Sequence, residues 1–271
     1  MNKLERAFSK MKAELQIKRT KTVQTRRRGR VIVTPTRESY TVDVKNGKFI
    51  FDLQNSNAKV SIQEADPENK HILVNVQNDN VLVTKDGVEH KNVTTDKWLC
   101  GHDERDWFVA SVTGSTIWEA KQNLKPVEVR QKEVGLKTKE KQKRKNKAFL
   151  RQGEWFFVPD PLFKASEGFI LKDEPMSRPG GGKPHIVEEV VRSGGHTVYF
   201  DGISVLTPKE YEKVDKVNKL RFRQRTADAA VYGRGYVKHP DHKTLKLNGW
   251  HKILMNTEKR DRKGTTLMFI D

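Results

Sequence analysis

The sequence predicts an α+β protein with predominantly antiparallel β structure, in barrel- or sandwich-like sheets, a few helices, and two halves joined by a basic linker. Three observations predict it. Short runs alternate apolar and polar residues, turn-forming pairs such as Asn46-Gly47 separate them, and a Lys/Arg-rich stretch at 121–151 divides two such regions. Strands this short and close, without long helices between them, favour antiparallel sheets.

Residues 1–30 predict a basic amphipathic helix followed by a flexible arm. Within the predicted helix, residues 2–18, Asn2 and Glu5 have the spacing of a capping box. Its apolar positions form one helical stripe: Leu4, Phe8, Met11 and Leu15. Such a stripe offers a surface on which a protein partner can dock. The arm carries an arginine cluster: Arg26, Arg27 and Arg28.

Residues 31–120 predict a β-rich domain. Alternation over 40–44, the Asn46-Gly47 pair and the apolar run 49–51 together indicate a hairpin. Further strands are predicted at 59–63, 71–76, 81–84, 98–100 and 107–110. The last two of these flank a charged loop.

Residues 121–151 predict a basic linker, and residues 152–271 predict an α+β domain. In this second half we expect a strand at 154–159, a hairpin around 193–195 and a basic helix that begins at Thr207. Later strands are predicted at 232–239, 244–247 and 250–255.

The positive charge is concentrated in two segments. The net charge is +18. Residues 1–30 hold 11 basic and 2 acidic side chains, residues 121–151 hold 12 and 3, and the other 210 residues hold 30 of each. Charge packed in this way predicts a polyanionic partner, and nucleic acid is the commonest one. RNA is favoured over DNA because the sequence has no helix-turn-helix or zinc-finger pattern.

Basic and aromatic residues supply the predicted nucleic-acid contacts: Arg26, Arg27, Arg28, Lys143, Arg144, Lys145, Lys183, Arg221, Arg223, Arg234, Tyr236 and Trp250. Tyr236 and Trp250, close to Arg234, are the candidates for base stacking, although aromatic rings in apolar runs also form cores. Lys183 ends a glycine-rich run at 179–183, which suits either a phosphate contact or a flexible connector.

Cys100 and His102 open a charged loop between two predicted strands. A thiol and an imidazole this close suggest a catalytic centre, with Cys100 as the nucleophile or His102 as a general base. The alternative is a buried cysteine followed by a solvated turn, because cysteine usually behaves as a small hydrophobe.

Three further imidazoles lie within thirteen residues, at His239, His242 and His251. They suggest acid–base cleavage of RNA or a divalent metal site, and a surface hairpin turn is the alternative. An RNA-processing nuclease would draw on these three together with His102 and His185. The sequence alone assigns no metal ligand and leaves any cofactor unknown.

The sequence also indicates in which cellular compartment the protein is expected. Cys100 is the only cysteine, which excludes an internal disulfide and favours a reducing cytoplasm. We find no secretory signal and no apolar run of the roughly 20 residues that span a bilayer, so no membrane partner is expected. Three functions remain open: nucleic-acid binding, RNA processing, and protein docking through residues 2–18.

Overall fold

The computed structural model describes residues 2–19, 25–27, 30–32, 40–53, 58–83, 89–104, 106–178 and 182–258. The chain divides into two compact units, Met1–Lys125 and Pro126–Asp271. Antiparallel strands form most of both units and short helices complete them, so the predicted α+β class is confirmed. Among the described residues no helix is both long and apolar enough to cross a membrane.

The first unit contains two helices and nine strands among its described residues. In chain order they are α1 (Lys3–Lys10), β1 (Glu14–Arg19), β2 (Thr25–Arg27), β3 (Arg30–Ile32), β4 (Tyr40–Lys45), β5 (Lys48–Leu53), β6 (Lys59–Asp66), β7 (His71–Val83), β8 (Glu89–Asp103), β9 (Asp106–Val112) and α2 (Ile117–Asn123). Strands β6 to β9 form an antiparallel meander, and β1, β5 and β4 form a second sheet in which β1 runs parallel to β5. A two-residue turn joins β4 to β5, as predicted, because Asn46 and Gly47 both adopt positive φ.

The predicted helix over 2–18 is wrong beyond its first turns. The capping box at Asn2 and Glu5 forms, but α1 ends at Lys10 and strand β1 follows. Lys12 adopts a φ of 64°, which a continuing helix does not allow. The apolar stripe is used internally, since Leu4, Phe8 and Met11 are buried in the first unit's own core.

The second unit contains four helices and nine strands among its described residues, together with a short 3₁₀ turn at Glu167–Phe169. They are α3 (Val127–Lys132), α4 (Thr138–Lys141), β10 (Leu150–Gln152), β11 (Trp155–Pro159), β12 (Leu171–Met176), β13 (His185–Ser193), β14 (His196–Phe200), β15 (Val205–Leu206), α5 (Pro208–Glu212), α6 (Lys216–Lys219), β16 (Arg223–Ala227), β17 (Ala230–Lys238) and β18 (Leu245–Met255). Six strands form one antiparallel sheet in the order β10-β11-β18-β17-β13-β12, and β15, β14 and β16 form another.

The six-stranded sheet curls so that the β10–β11 turn returns to the far end of β17. The Gln152 amide of that turn donates to the carbonyl oxygens of Val237 and Lys243, at 3.4 and 2.7 Å. The inner face of the curl is an apolar core: Trp155, Phe157, Met176, Val187, Val190, Val231, Val237, Leu247 and Ile253. This curl decides which side chains meet at the end of the sheet.

The segment 121–151, which we expected to be a linker, is divided by the boundary after Lys125. Its larger part folds onto the second unit, where Val129 and Phe149 are buried with Phe156 and Val158 of β11. These apolar residues are spaced too widely along a Lys-rich sequence to give a clear periodic signal.

Two local predictions in the second half are wrong. The turn at Gly194-Gly195 does not close a hairpin, because β13 pairs with β12 and β17 whereas β14 pairs with β15 and β16. The basic helix expected from Thr207 is two short helices. They are separated because Asp215 starts a new helix by accepting hydrogen bonds from the amides of Val217 and Asn218.

Candidate metal centre and nucleic-acid face

Three imidazoles meet at one end of the curled sheet. His185 begins β13, His239 directly follows β17, and His242 lies in the turn between β17 and β18. Ring centroids are 4.2 Å apart for His185 and His239, 5.5 Å for His185 and His242, and 4.6 Å for His239 and His242. One ring nitrogen from each residue lies within 4.8 Å of the others. We call these three residues the histidine cluster.

Gly153, in the β10–β11 turn, lies against the histidine cluster. A Cβ at this position would lie 2.9 Å from Nε2 of His242 and 3.3 Å from Nε2 of His185. The residue also has a φ of +57°, which favours glycine. Close approach and backbone conformation therefore both require glycine here, and the turn leaves room between the two Nε2 atoms.

An ion pair and one hydrogen bond join the segments that carry the cluster, and a second hydrogen bond lies within the segment of His239. Lys183 Nζ lies 2.7 Å from Asp241 Oδ1. His239 Nε2 is 3.2 Å from the carbonyl oxygen of Lys183, and the Asp241 amide donates to His239 Nδ1 at 3.1 Å. A carbonyl can only accept, so the proton of His239 lies on Nε2 and the lone pair on Nδ1.

Two imidazoles of the cluster favour the neutral form. Burial, followed by the neighbouring His239, His242 and Arg178, lowers the pKa of His185 to about 3. The pKa of His239 is also lowered, mainly by burial and then by His242. Neutral imidazole is the form that binds metal ions and that accepts protons.

His251 does not belong to the cluster. It pairs with Gly233 on β17, six residues before His239, which corresponds to about 20 Å along a strand. Its ring is buried, its Nδ1 lies 2.9 Å from the carbonyl oxygen of Gly249, and burial lowers its pKa. The sequence grouped His239, His242 and His251 by proximity along the chain, and the fold replaces His251 with His185.

Cys100 and His102 lie in the first unit, on β8. Cys100 is fully buried in the apolar core, and this burial raises the pKa of its thiol, whereas a nucleophile needs a lowered one. The His102 ring packs edge-on against Trp107, with centroids 4.8 Å apart. Core packing accounts for the thiol, and the geometry gives no support to a catalytic role for it.

Aromatic and basic side chains gather on the outer face of β17 and β18. The Arg234 guanidinium lies 4.7 Å from the ring centroid of Trp250, and Lys246 Nζ lies 5.6 Å from that of Tyr236. Tyr236 is 43% exposed. Phe163 stacks on Tyr232 at 3.6 Å and contacts the edge of Trp250 at 5.6 Å, so it covers the adjoining part of the sheet. We call Arg234, Tyr236, Lys246 and Trp250 the open face.

The other predicted binding residues are dispersed. Lys143, Lys145 and Arg223 are exposed. Arg144 is partly buried, and burial followed by Arg151 lowers its pKa to about 10. Two candidates have acidic partners, since Lys183 pairs with Asp241, and Arg221 Nη2 lies 3.6 Å from Asp201 Oδ2.

The arginine cluster of the arm is described only in part. Arg26 and Arg27 lie in the β2–β3 ribbon, where only the backbone is described. Arg28 lies outside the described residues. Their role in binding stays a prediction.

Sequence reasoning missed the residues that shape the cluster rather than form it. Gly153, Gln152 and Trp155 come from a hairpin at least thirty residues before His185 in the chain. The short Gln-Gly-Glu turn between apolar strands is the local signal for the hairpin, but nothing local shows what it approaches.

Comparison of the chain with protein-family models, with curated proteins and with solved structures gave no match.

Proposed function

We propose that this protein binds single-stranded nucleic acid, with RNA favoured over DNA, on the open face of its second unit. The observation that carries the proposal is an exposed Tyr236 beside Lys246 on the same sheet face as the Arg234–Trp250 pair. Unpaired bases stack on aromatic rings and arginine planes, and neighbouring cations contact phosphates.

The charge distribution supports the choice of the second unit. The second unit contains 31 basic and 19 acidic residues, a net of +12, and the first contains 22 and 16, a net of +6. Lys246 has no acidic partner among the residues that the structure describes. Its ammonium group is thus available to a phosphate, and binding would release counterions from the nucleic acid.

The side chains of the open face are held in place before any ligand arrives. Glu189 on β13 forms an ion pair with Arg234, which keeps the guanidinium over Trp250. The Tyr236 amide donates to Glu188 Oε2 at 2.7 Å, which fixes the strand at the exposed ring. Pre-ordered side chains reduce the entropy lost on binding.

Fluorescence anisotropy with a labelled single-stranded RNA tests the proposal. Tyr236→Ala should weaken binding about 10-fold, since stacking on one aromatic ring contributes about 1–3 kcal/mol per base. Trp118→Ala is the matched control, because Trp118 is 40% exposed but lies in the first unit. Equal affinity of Tyr236→Ala and the parent protein, or affinity that does not fall as salt rises, would refute the proposal. A DNA strand of the same sequence measures the preference for RNA.

RNA cleavage is a second candidate function, and the histidine cluster is the observation that favours it. His185 and His239 are neutral at pH 7, and neutral imidazoles serve either as general bases or as ligands for an activating metal ion. Labelled RNA incubated with the protein, in chelator or in added zinc, should be shortened by the parent protein and not by His242→Gln. Intact RNA in both solutions would exclude this function.

A further inference from the structure

Among the described residues of the second unit, the buried side-chain polar atoms without hydrogen-bond partners all belong to His185 and to two residues of the β10–β11 hairpin. His185 is 1% exposed, and neither its Nδ1 nor its Nε2 has a partner. Trp155 Nε1 and Gln152 Oε1 are also buried without partners. The Trp155 and His185 rings are 6.4 Å apart, and Gln152 precedes the glycine that covers the cluster.

Such unpaired groups demand a physical explanation. Leaving one buried donor or acceptor unpaired costs about 1–3 kcal/mol, and native proteins contain few of them. A metal ion bound at the cluster would take the lone pair of one His185 ring nitrogen, and water beside it would accept from the Trp155 N–H, which is a donor only. The grouping of these atoms beside the cluster therefore favours an occupied site.

We propose that His185, His239 and His242 bind one divalent transition-metal ion of the zinc type. Imidazole nitrogen suits zinc, copper, nickel and iron, whereas magnesium and calcium prefer oxygen. Three histidines with an open fourth position form the ligand set of catalytic zinc sites, in which water occupies that position. This inference specifies the chemistry of the second candidate function, but metal binding is measured directly and stands or fails without any cleavage.

The rings have to rotate to hold the ion, because His185 stacks on His239 and His242 at interplanar angles of 24° and 23° and lone pairs in stacked ring planes do not converge. Zinc–nitrogen bonds of 2.0–2.1 Å place tetrahedral ligand nitrogens about 3.3 Å apart, whereas the cluster nitrogens lie within 4.8 Å. Rotation of side chains brings them closer, and His239 and His242 are only partly buried. The space for the ion exists because residue 153 has no Cβ.

The surroundings of His239 already have the form of a metal site's outer shell. A ligating histidine usually donates its second ring proton to a carbonyl or carboxylate, which fixes the tautomer. His239 Nε2 has this relation to the Lys183 carbonyl at 3.2 Å, and Nδ1 carries the lone pair. The Asp241 amide, which now donates to Nδ1, has to release it when the ion binds.

The Lys183–Asp241 ion pair joins the segment before His185 to the turn that carries His242. The charge of each partner is neutralised by the other, which leaves the imidazoles as the ligands of the ion.

Zinc titration of the tag-free full chain, stripped with chelator, tests the proposal. Competition with a chromophoric chelator should give one zinc per chain, and cobalt in its place should give the visible absorption of a tetrahedral nitrogen site. His239→Gln and His242→Gln should each weaken zinc binding by more than about 100-fold, since even outer-shell changes cost 10–100-fold. Gly153→Ala should weaken it as well, by filling the space of the ion.

His196→Gln is the matched control, because this histidine belongs to the second unit and its side chain is 58% exposed. It should leave zinc affinity unchanged. Circular dichroism establishes that each variant is folded. No stoichiometric zinc binding by the parent chain would overturn the proposal. Binding that survives both His239→Gln and His242→Gln in folded protein would overturn it too.

Discussion

The two units place their reactive side chains in different surroundings. In the first unit, Cys100 is paired on both sides within the β7–β8–β9 meander, where the thiol is buried among apolar side chains. In the second unit, His185, His239 and His242 lie at strand ends and in a turn, and both ring nitrogens of the buried His185 lack hydrogen-bond partners. Packing accounts for the Cys100 thiol, whereas the converging chain ends of the second unit leave the His185 ring nitrogens for a ligand.

Helix α1 gives the strongest test of whether apolar side chains of the first unit serve to stabilise its core. Phe8 is fully buried and contacts Phe49, with ring centroids 5.1 Å apart. Phe8→Ala should lower the free energy of unfolding of the first unit by about 3–5 kcal/mol, measured by urea denaturation. Lys10→Ala, at an exposed position of the same helix, is the control. Unchanged stability in Phe8→Ala would mean that the apolar stripe is free for a partner.

Cys100 separates a packing role from a chemical one. Cys100→Ser should lower the free energy of unfolding by about 1–3 kcal/mol, because it buries a hydroxyl in an apolar core. RNA affinity, zinc affinity and any cleavage should stay within twofold of the parent protein. A loss of activity in folded Cys100→Ser would show that the thiol has a functional role.

The sequence predicted local features such as turns well, and contacts between segments that are distant in the chain poorly. The Asn46-Gly47 hairpin was predictable because its cause, two residues that tolerate positive φ, lies within the turn. The end of α1 was not, since Lys12 gives no sequence signal of its left-handed conformation. Alternation of apolar residues through Leu15 and Ile17 fitted a strand as well as the last turn of a helix.

The histidine cluster depends on the curl of a whole sheet. His239 and His242 were predicted together because they are three residues apart, but His251 was added for the same reason and lies elsewhere. His185 reaches them through the pairing of β13 with β17, and Gly153 through the return of the β10–β11 turn. Both contacts depend on strand register, which no single segment encodes.

Acid should weaken the second unit in metal-free protein. Burial lowers the pKa of His185 to about 3 and also lowers that of His251, whereas an unfolded histidine titrates near 6.5. The stability of the neutral rings is thus complete above about pH 6.5. It declines as pH falls towards the folded-state pKa values, by up to about 1.4 kcal/mol per pH unit for each ring.

Urea denaturation between pH 7 and pH 5, in chelator, measures this decline. His251→Gln should reduce the slope because it removes one of the buried titrating rings. A slope identical to that of the parent protein would show that His251 is protonated as readily in the folded chain as in the unfolded one.

The smallest expected effect concerns the basic segment before β10. Lys143 and Lys145 are exposed, and each phosphate contact contributes about 0.7 to the salt slope for single strands. Lys143→Ala with Lys145→Ala should therefore reduce the slope of log affinity against log salt by about 1.4. Lys59→Ala, at an exposed position in the first unit, should not change it. An unchanged slope in the double variant would remove this segment from the binding surface.

Photocrosslinking of single-stranded RNA to the full chain, followed by mass spectrometry of the attached peptides, tests most directly that the second unit's open face receives the ligand. Adducts on β17 and β18, at Tyr236 and Trp250, are the predicted result. Adducts confined to peptides of the first unit would contradict it.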